Sequence, residues 1–568
     1  MKRDLNQIAG KTFDLLVIGG GIYGACIAWD AVLRGMSVAL LEKGDFGQAT
    51  SANSLKTVHG GLRYLQKLDI KRMRQSTRER RNLMRIAPHL VHPLACIMPV
   101  YGHGMRGREV MAAGLWLNDL ISYDRNRLMD GRRHLPKGRM LSPEACQQSL
   151  PGIPSIGLTG GALWYDSQMY NSERLTLSFV RSAVNRGAVA ANYAEVTGFL
   201  VKDGRVFGVE ARDGLSGASF QVRARTIVNA AGPWVDRVLS LLPGGSARLG
   251  IRLAKAINIA TRPIIKDYAA GIAARPSPER SAVQPKIGER LLFIVPWRNQ
   301  SIIGTTYQLH TGHPDQLAVT EADVQEILDE TNRAYPPAGL TQEDVVFIYS
   351  GMVPVTAVDP HTGIVQRAGK FQIRDHRQDG LQGLISVLGV KYTTARGVAE
   401  LAVDQVFSNL GYRPPSSVSA QIPLYGGDIQ AFETFLLEEI NRRPCDLSPA
   451  MVRMLVHNYG SAYPELFQYF PQPTVPGRPV PEEQAVLIAQ IKYAVQHEMA
   501  MKLSDVIFRR TEQGVDGFPG AEMIRFCAQV MGNELNWDTA RQAQEIQDVE
   551  RQFGREAMMA FSGVNDGE

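Results

Sequence analysis

Residues 13–24 read Phe-Asp-Leu-Leu-Val-Ile-Gly-Gly-Gly-Ile-Tyr-Gly, an apolar strand that runs directly into a glycine-rich turn. The glycines have the spacing of a dinucleotide-binding turn. Gly19 suits the tight turn, Gly21 the close approach of phosphates, and Gly24 the packing of the next helix against the strand. The pattern therefore predicts a pyrophosphate site at the start of a helix that spans residues 22 to about 34.

A second apolar strand, residues 38–41, ends at Glu42, roughly 20 residues beyond the glycine turn. A carboxylate at this position can accept hydrogen bonds from ribose hydroxyls, and it repels a 2′-phosphate, which disfavours NADP. Glycine-rich turns also occur as plain connectors, but strand, turn, helix, strand and acid together fit one α/β unit. FAD and NAD both remain candidates at this point because both use the motif.

The composition is that of a globular protein with several core-sized units: 568 residues, 44% hydrophobic and 21% charged. The net charge of +6 is mild, and no basic or aromatic-and-arginine stripe indicates a nucleic-acid partner. Five scattered cysteines without a Cys-x-x-Cys pair predict reduced thiols and no metal site. The absence of a secretion signal and of a long apolar run predicts a cytoplasmic location, with peripheral membrane attachment left open.

The order of strand-like segments predicts interleaved domains. Residues 226–229 and 384–387 are late apolar strands, so the nucleotide-binding sheet is assembled from distant parts of the chain. Residues 291–304 have the pattern of an antiparallel hairpin, which suits a sheet-based substrate domain. Beyond Ser416 the pattern becomes helical.

Three further segments carry candidate binding residues. Ser51 to Ser54, followed by His59-Gly60-Gly61-Leu-Arg63, has the chemistry of an anion-handling loop, although a solvated loop would show the same composition. Ala231 and Gly232 follow a strand, and their small size would let the backbone approach a dinucleotide. Gly389-Val-Lys391-Tyr-Thr393 is a turn before a helix whose N-terminus could stabilise negative charge on a reduced flavin.

Together these segments resemble the FAD-dependent, quinone-linked glycerol-3-phosphate dehydrogenases, members of the D-amino-acid-oxidase-like flavoproteins. The resemblance spans nearly the whole chain. Its most specific part is the helical tail that contains Asp505-Val-Ile-Phe-Arg-Arg-Thr511. The resemblance implies FAD rather than NAD as the cofactor.

The resemblance also implies the architecture: an α/β fold with a Rossmann-like FAD-binding domain, an interleaved antiparallel β-sheet substrate domain, and a C-terminal α-helical domain. We expect residues 1–100, 150–245 and 345–415 to form the FAD-binding domain. Residues 100–150 and 245–345 would form the substrate domain, and residues 416–568 the helical domain.

The implied activity is oxidation of an anionic polyol phosphate, glycerol 3-phosphate, by hydride transfer to flavin N5, with quinone or oxygen as the electron acceptor. Peripheral contact with the inner face of the cytoplasmic membrane and a homodimer are further expectations. The expected catalytic residues are Arg63, which would bind the anionic group of the substrate, Arg367, and Lys391, which would favour the reduced flavin. The expected FAD-binding residues are Gly19, Gly21, Gly24, Glu42, Ser51, Ser54, His59, Gly60, Gly61, Ala231, Gly232, Gly389, Lys391 and Thr393. His59 is interpreted as shaping the FAD loop, and no general base is assigned.

Two positions depart from the family pattern. The family has an arginine in a Gly-Val-Arg-Pro-Leu segment, where this chain has Val353, and a histidine where this chain has Asn258. Arg63, Arg367, Lys391 and Arg396 are the cations that could replace the missing arginine. The departures leave two alternatives: a family offshoot that oxidises a different hydroxy or amino compound, and an inert flavin-binding sensor or assembly protein.

Overall fold

The computed structural model of the chain describes residues 1–104, 107–127, 129–245, 247–273, 291–358, 365–472 and 480–561. Its strands are β1 (Thr12–Ile18), β2 (Val38–Leu41), β3 (Thr57–Val58), β4 (Val91–Tyr101), β5 (Arg139–Leu141), β6 (Leu158–Met169), β7 (Val189–Ala191), β8 (Ala194–Lys202), β9 (Arg205–Asp213), β10 (Ser219–Asn229), β11 (Arg252–Thr261), β12 (Ala269–Ala273), β13 (Leu291–Trp297), β14 (Gln300–His310), β15 (Val345–Val358), β16 (Val365–Arg367), β17 (Gln372–Asp375) and β18 (Leu384–Leu388).

The α-helices are α1 (Leu5–Ala9), α2 (Ile22–Leu33), α3 (Ile70–Ile86), α4 (Arg108–Ile121), α5 (Pro143–Ser149), α6 (Ser172–Asn185), α7 (Val235–Leu239), α8 (Glu321–Ala334), α9 (Ala395–Asn409), α10 (Phe432–Arg442), α11 (Pro449–Tyr459), α12 (Glu482–Glu498), α13 (Leu503–Asp505), α14 (Ala521–Leu535) and α15 (Thr539–Phe561). A 3-10 helix covers Leu62–Lys67, and a π-helical turn, Val506–Arg510, continues α13.

The first sheet has the strand order β17-β18-β10-β1-β2-β7, and β8 and β9 extend it antiparallel from β10. The central strands β18, β10, β1, β2 and β7 run parallel. β2 and β18 are buried along their whole length, as expected for parallel strands covered on both faces. Helix α2 packs against α6 and α9. This is the predicted Rossmann-like unit.

The second sheet has the order β16-β15-β11-β14-β13-β12-β4-β6-β3, and β5 pairs with β6. Its pairs are antiparallel except for β12 with β4. The predicted hairpin is confirmed as β13 and β14, joined at Arg298, which has φ of 55°. Side chains of α8 share a core with β11 and β14, so this helix covers one face of the sheet.

Several strands belong to a different sheet from the one expected from the sequence. β4, β6, β15 and β16 lie in the second sheet, although residues 1–100, 150–245 and 345–415 were expected in the FAD-binding domain. Alternation of apolar residues identifies a strand but does not identify its partner strand. The second sheet therefore draws on all three segments that we assigned to the first domain.

The part beyond Ser416 is helical, as predicted. Helices α10 and α11 share one core with α12, and α12, α14 and α15 share another. In the described ranges of the chain, no helix is both long enough and apolar enough to cross a membrane.

Candidate functional site

The glycine turn between β1 and α2 has no room for a side chain at two positions. Gly19 has φ of 103°, and a Cβ there would lie 2.7 Å from the Ala230 carbonyl oxygen. A Cβ on Gly24 would lie 1.8 Å from the Gly19 carbonyl oxygen, so α2 can pack this closely only with glycine. Gly21 lines the cavity in front of the turn. The geometry fits the roles predicted for these three glycines.

Glu42 at the end of β2 has its carboxylate fixed by the backbone. Oε2 accepts a hydrogen bond from the Gly20 amide at 2.6 Å, and Oε1 accepts one from the Gly44 amide at 2.8 Å. Burial raises the pKa of Glu42. Each oxygen keeps lone pairs for a ribose hydroxyl. The Ser51 hydroxyl accepts from the Ile22 amide at 2.9 Å, which fastens the serine-rich loop to the start of α2.

A cavity of about 3570 Å³ connects Glu42 with the second sheet. Small-molecule sites typically have about 300–1,000 Å³, so this cavity has room for a dinucleotide and a small substrate. Gly24 and Gly60 are not among the residues that line the cavity, and a Cβ on Gly60 would lie 2.2 Å from Arg80 Nη1. The other predicted site residues all line the cavity: Gly19, Gly21, Glu42, Ser51, Ser54, His59, Gly61, Arg63, Ala231, Gly232, Arg367, Gly389, Lys391 and Thr393.

His59 is held by a buried carboxylate that the sequence analysis missed. Asp166 in β6 lies 3.1 Å from His59 Nδ1, and it also accepts from the Gly60 amide at 2.6 Å and from Arg80 at 2.9 Å. Burial alone would raise the pKa of Asp166, but the hydrogen bond to His59 and the charge of Arg80 lower it to about 2. Asp166 is therefore ionised at neutral pH. The only local signal was an acid within an otherwise largely apolar strand.

The turn that contains Gly389 packs against Tyr23 of α2, a second residue that the sequence analysis missed. A Cβ on Gly389 would lie 1.9 Å from the Tyr23 ring. The Tyr23 hydroxyl donates to the Lys391 carbonyl at 2.7 Å and accepts from the Lys391 amide at 3.2 Å. The turn after β18 is thereby fixed to the first helix of the dinucleotide unit, in front of α9, which begins after Thr394.

Among the cations that line the cavity, three lie without an ion pair to a carboxylate in the part of the chain that the structure describes and are those named from the sequence: Arg63, Arg367 and Lys391. Arg367 Nη1 donates to the Tyr307 hydroxyl at 2.8 Å. Burial, and then the charge of Arg367, lower the pKa of Arg63. Burial lowers the pKa of Lys391 to about 8, and its Nζ lies 4.0 Å from the centre of the Tyr64 ring. A bound anion would relieve this uncompensated charge.

The two departures from the family pattern both face this cavity. Val353 in β15 and Asn258 in β11 line its wall, and Asn258 Oδ1 accepts from the Thr305 hydroxyl at 2.7 Å. The inclusion of Arg396 among the replacement cations was wrong. Its buried guanidinium donates to both carboxylate oxygens of Glu79, at 2.6 and 2.7 Å, so its charge is already compensated.

Known proteins share this architecture. The family described as FAD dependent oxidoreductase matches residues 14–405, and the C-terminal domain of alpha-glycerophosphate oxidase matches residues 417–542. A glycerol-3-phosphate dehydrogenase of Synechocystis sp. is 33% identical over 559 residues, 96% of this chain and 97% of the relative. One of Mycobacterium leprae is 31% identical over 535 residues, 93% of this chain and 86% of the relative. The structure of the Bacillus halodurans glycerol-3-phosphate dehydrogenase complexed with FAD has a TM-score of 0.75 at 26% identity, covering 99% and 98% of the two chains.

The glycine turn, the parallel sheet and the family match over residues 14–405 define the class of this protein as an FAD-dependent oxidoreductase. FAD as the predicted cofactor is thereby confirmed. The glycerol-3-phosphate dehydrogenases named above match nearly the whole length of this chain, so they define its family within that class. The chain belongs to the glycerol-3-phosphate dehydrogenase family.

Proposed function

We propose that this enzyme oxidises sn-glycerol 3-phosphate to dihydroxyacetone phosphate. The observation that carries the proposal is the group of three cations, Arg63, Arg367 and Lys391, without carboxylate partners in the described parts of the chain. A phosphate monoester would compensate their charge through strong, charge-assisted hydrogen bonds. The bound FAD would supply the hydride acceptor, N5 of the flavin.

The three cations would have different roles, two at the substrate and one at the cofactor. Arg63 and Arg367 would bind the phosphate, and the Tyr307 hydroxyl would hold the Arg367 guanidinium in place through their 2.8 Å hydrogen bond. Lys391 lies in the turn before α9, so its charge would favour negative charge on the nearby cofactor edge. With a pKa of about 8, Lys391 is mostly protonated at neutral pH.

His59 is our candidate for the base that accepts the hydroxyl proton. Asp166 holds Nδ1 of the ring, and Nε2 has no hydrogen-bond partner among the residues that the structure describes. The buried carboxylate would fix the tautomer in which Nδ1 carries the proton and Nε2 carries the lone pair. The proton of the substrate hydroxyl would thus move to Nε2 of His59.

Val353 and Asn258 favour a second candidate, a family offshoot that oxidises a different hydroxy or amino compound. The loss of one charge-assisted phosphate contact corresponds to about 1.5–3 kcal/mol, or about ten- to a hundredfold in binding. Asn258 adds an amide that can donate to a substrate oxygen but cannot act as a base near neutral pH.

The deciding experiment follows the visible absorption band of the bound flavin without oxygen. Rapid bleaching by glycerol 3-phosphate, and none by glycerol, would support the main proposal. Bleaching by phosphate-free hydroxy or amino compounds alone would support the offshoot. A flavin that only dithionite reduces would contradict both and leave a sensor or assembly role.

We further propose that quinone accepts the electrons at the inner face of the cytoplasmic membrane. Helix α4 exposes Val110, Trp116 and Leu120, and Leu68 beside the neighbouring 3-10 helix is 73% exposed. Two exposed lysines, Lys67 and Lys71, lie near Leu68 in sequence. Their positive charge would complement anionic lipid headgroups.

Sedimentation with anionic vesicles tests this surface. The Trp116→Ser/Leu120→Ser variant should lose vesicle binding while keeping its flavin. Leu437→Ser, an equally exposed apolar position on α10, should bind as the parent does. Equal binding by all three proteins would rule out α4 as the contact surface.

A further inference from the structure

The C-terminal helices reach the cofactor site through a buried ion cluster. Both carboxylate oxygens of Asp45 are bound. Oδ2 accepts from Arg509 Nε at 2.6 Å and from Arg510 Nη1 at 2.8 Å, and Oδ1 accepts from Arg510 Nη2 at 2.8 Å. Asn192 Nδ2 donates to Oδ1 at 3.1 Å. Asp45 thus connects an N-terminal loop to the π-helical turn, 464 and 465 residues away in sequence.

The Asp45 loop also orients the expected ribose ligand. The Gly44 amide donates to Glu42 at 2.8 Å, and the Gly44 carbonyl accepts from the Tyr193 amide at 2.9 Å. Both Gly44 and Asp45 line the cavity. Any displacement of Asp45 would therefore move the amide that fixes the Glu42 carboxylate.

The same C-terminal segment forms part of the cavity wall. Asp505 Oδ1 accepts from the Tyr193 hydroxyl at 2.5 Å and from Arg509 Nη2 at 2.7 Å, and its Oδ2 accepts from the Lys502 amide at 3.0 Å. Lys502 lines the cavity, with Nζ 5.0 Å from the centre of the Tyr193 ring. The C-terminal helices therefore border the Glu42 end of the cavity, where the adenosine half of FAD is expected.

We propose that Arg509 and Arg510 are positioning residues for FAD. Through Asp45 they hold residues 43–47 in the form that binds the adenosine half, so docking of the C-terminal helices and FAD binding are thermodynamically linked. This inference rests on the FAD of the family and does not depend on the identity of the substrate.

The test compares Arg510→Met with a matched control, Arg34→Met. The side chain of Arg34 is as buried as that of Arg510, and it forms ion pairs with Asp30 and Asp404, away from the Asp45 loop. FAD is removed, and the apoproteins are titrated with FAD, ADP and FMN. Thermal unfolding is followed with and without FAD.

We expect Arg510→Met to raise the Kd for FAD and for ADP about tenfold, the loss of roughly one charge-assisted contact. It should also reduce the rise in Tm that FAD produces. The Kd for FMN, which lacks the adenosine half, should stay unchanged. Arg34→Met should lower Tm of both forms and leave all three Kd values unchanged.

Unchanged Kd values for FAD and ADP in Arg510→Met, with apo and holo Tm lowered equally, would overturn the proposal. An equal rise in the Kd for FMN would also overturn it, because the effect would then not be local to the adenosine end. If Arg510→Met does not fold, Arg510→Lys keeps the charge without the two-point contact. That variant should raise the Kd for FAD and ADP about threefold, and no rise would count against the proposal.

Discussion

His59 and Asp166 stand 107 residues apart in sequence and form one catalytic candidate in space. Replacing His59 with alanine removes the proposed proton acceptor. We expect kcat for glycerol 3-phosphate to fall about 10²- to 10⁴-fold with little change in KM, because general base catalysis contributes that much. Steady-state kinetics at equal flavin content measures the effect. Added imidazole should restore part of kcat, and a variant with unchanged kcat would exclude His59 as the base.

Arg367 and Tyr307 should control substrate affinity rather than turnover. Arg367→Met removes one charge-assisted phosphate contact, so KM should rise about ten- to a hundredfold while kcat changes little. Tyr307→Phe removes only the hydroxyl that holds the guanidinium, and its KM should rise about two- to tenfold.

Arg377→Met is the matched control for these kinetics. Arg377 is an exposed arginine paired with Asp375, outside the cavity wall. Its KM should equal that of the parent enzyme. If Arg367→Met behaves like this control, the phosphate binds elsewhere.

The sequence predicted those site residues that belong to contiguous motifs, such as the glycine turn and the segment from His59 to Arg63. It missed Tyr23, Asp166 and Tyr307, because each is a single polar residue in a helix or strand. Their partners come from other parts of the chain, and no local spacing marks such a contact. Arg396 was included among the possible phosphate-binding cations because its ion-pair partner, Glu79, is equally remote in sequence.

At the scale of elements, Lys56 ties the serine-rich loop to the start of α6. Its buried Nζ donates to Glu173 at 2.7 Å, to the Ser172 hydroxyl at 2.9 Å and to the Ala52 carbonyl at 2.7 Å. Lys56→Met leaves the Glu173 carboxylate uncompensated, so the free energy of unfolding should fall by about 3–5 kcal/mol. Denaturant unfolding measures the loss.

A double variant, Lys56→Met/Glu173→Met, separates charge from packing at this contact. Replacing both ion-pair partners with apolar residues is often neutral, so the double variant should recover most of the stability. If the double variant is no more stable than Lys56→Met, the contact stabilises through shape and not through charge.

Elements were predicted better than their assembly. Helix α2, strand β2 and the hairpin of β13 and β14 were predicted because apolar periodicity and turn residues are local. The membership of β4, β6 and β15 in the second sheet was not predicted, because strand pairing depends on residues far away in sequence.

At the scale of the whole molecule, three histidines join the second sheet to the C-terminal helices. His92 in β4 lies 4.9 Å from His457 in α11 between ring centres, and His457 stacks on Tyr170 at 4.5 Å. Burial, and then the charge of Arg133, lower the pKa of His89 to about 3. Burial lowers the pKa of His457 to about 4 and that of His92 well below its usual value.

These shifts predict loss of stability in acid. The folded protein keeps the three rings neutral, whereas the unfolded chain binds protons near pH 6.5. Above about pH 6.5 the free energy of unfolding should not depend on these groups. Below that pH, each histidine should lower the free energy of unfolding by about 1.4 kcal/mol per pH unit. Thermal unfolding between about pH 5 and 7.5 tests this range. His457→Phe should flatten the slope, and replacement of the exposed His134 with asparagine should not. Parallel curves for all variants would contradict the prediction.

The contact between Asp45 and the pair Arg509 and Arg510 also bears on biosynthesis. Strand β1 pairs with β10 more than two hundred positions later, and both carboxylate oxygens of Asp45 in the loop after β2 are bound by arginines near residue 510. A ribosome adds about 5–20 residues per second, so the nascent protein waits about 25–100 s before the Asp45 cluster can close. If Arg509 and Arg510 position the Asp45 loop as proposed, we expect FAD to bind tightly only after the C-terminal helices have been synthesised.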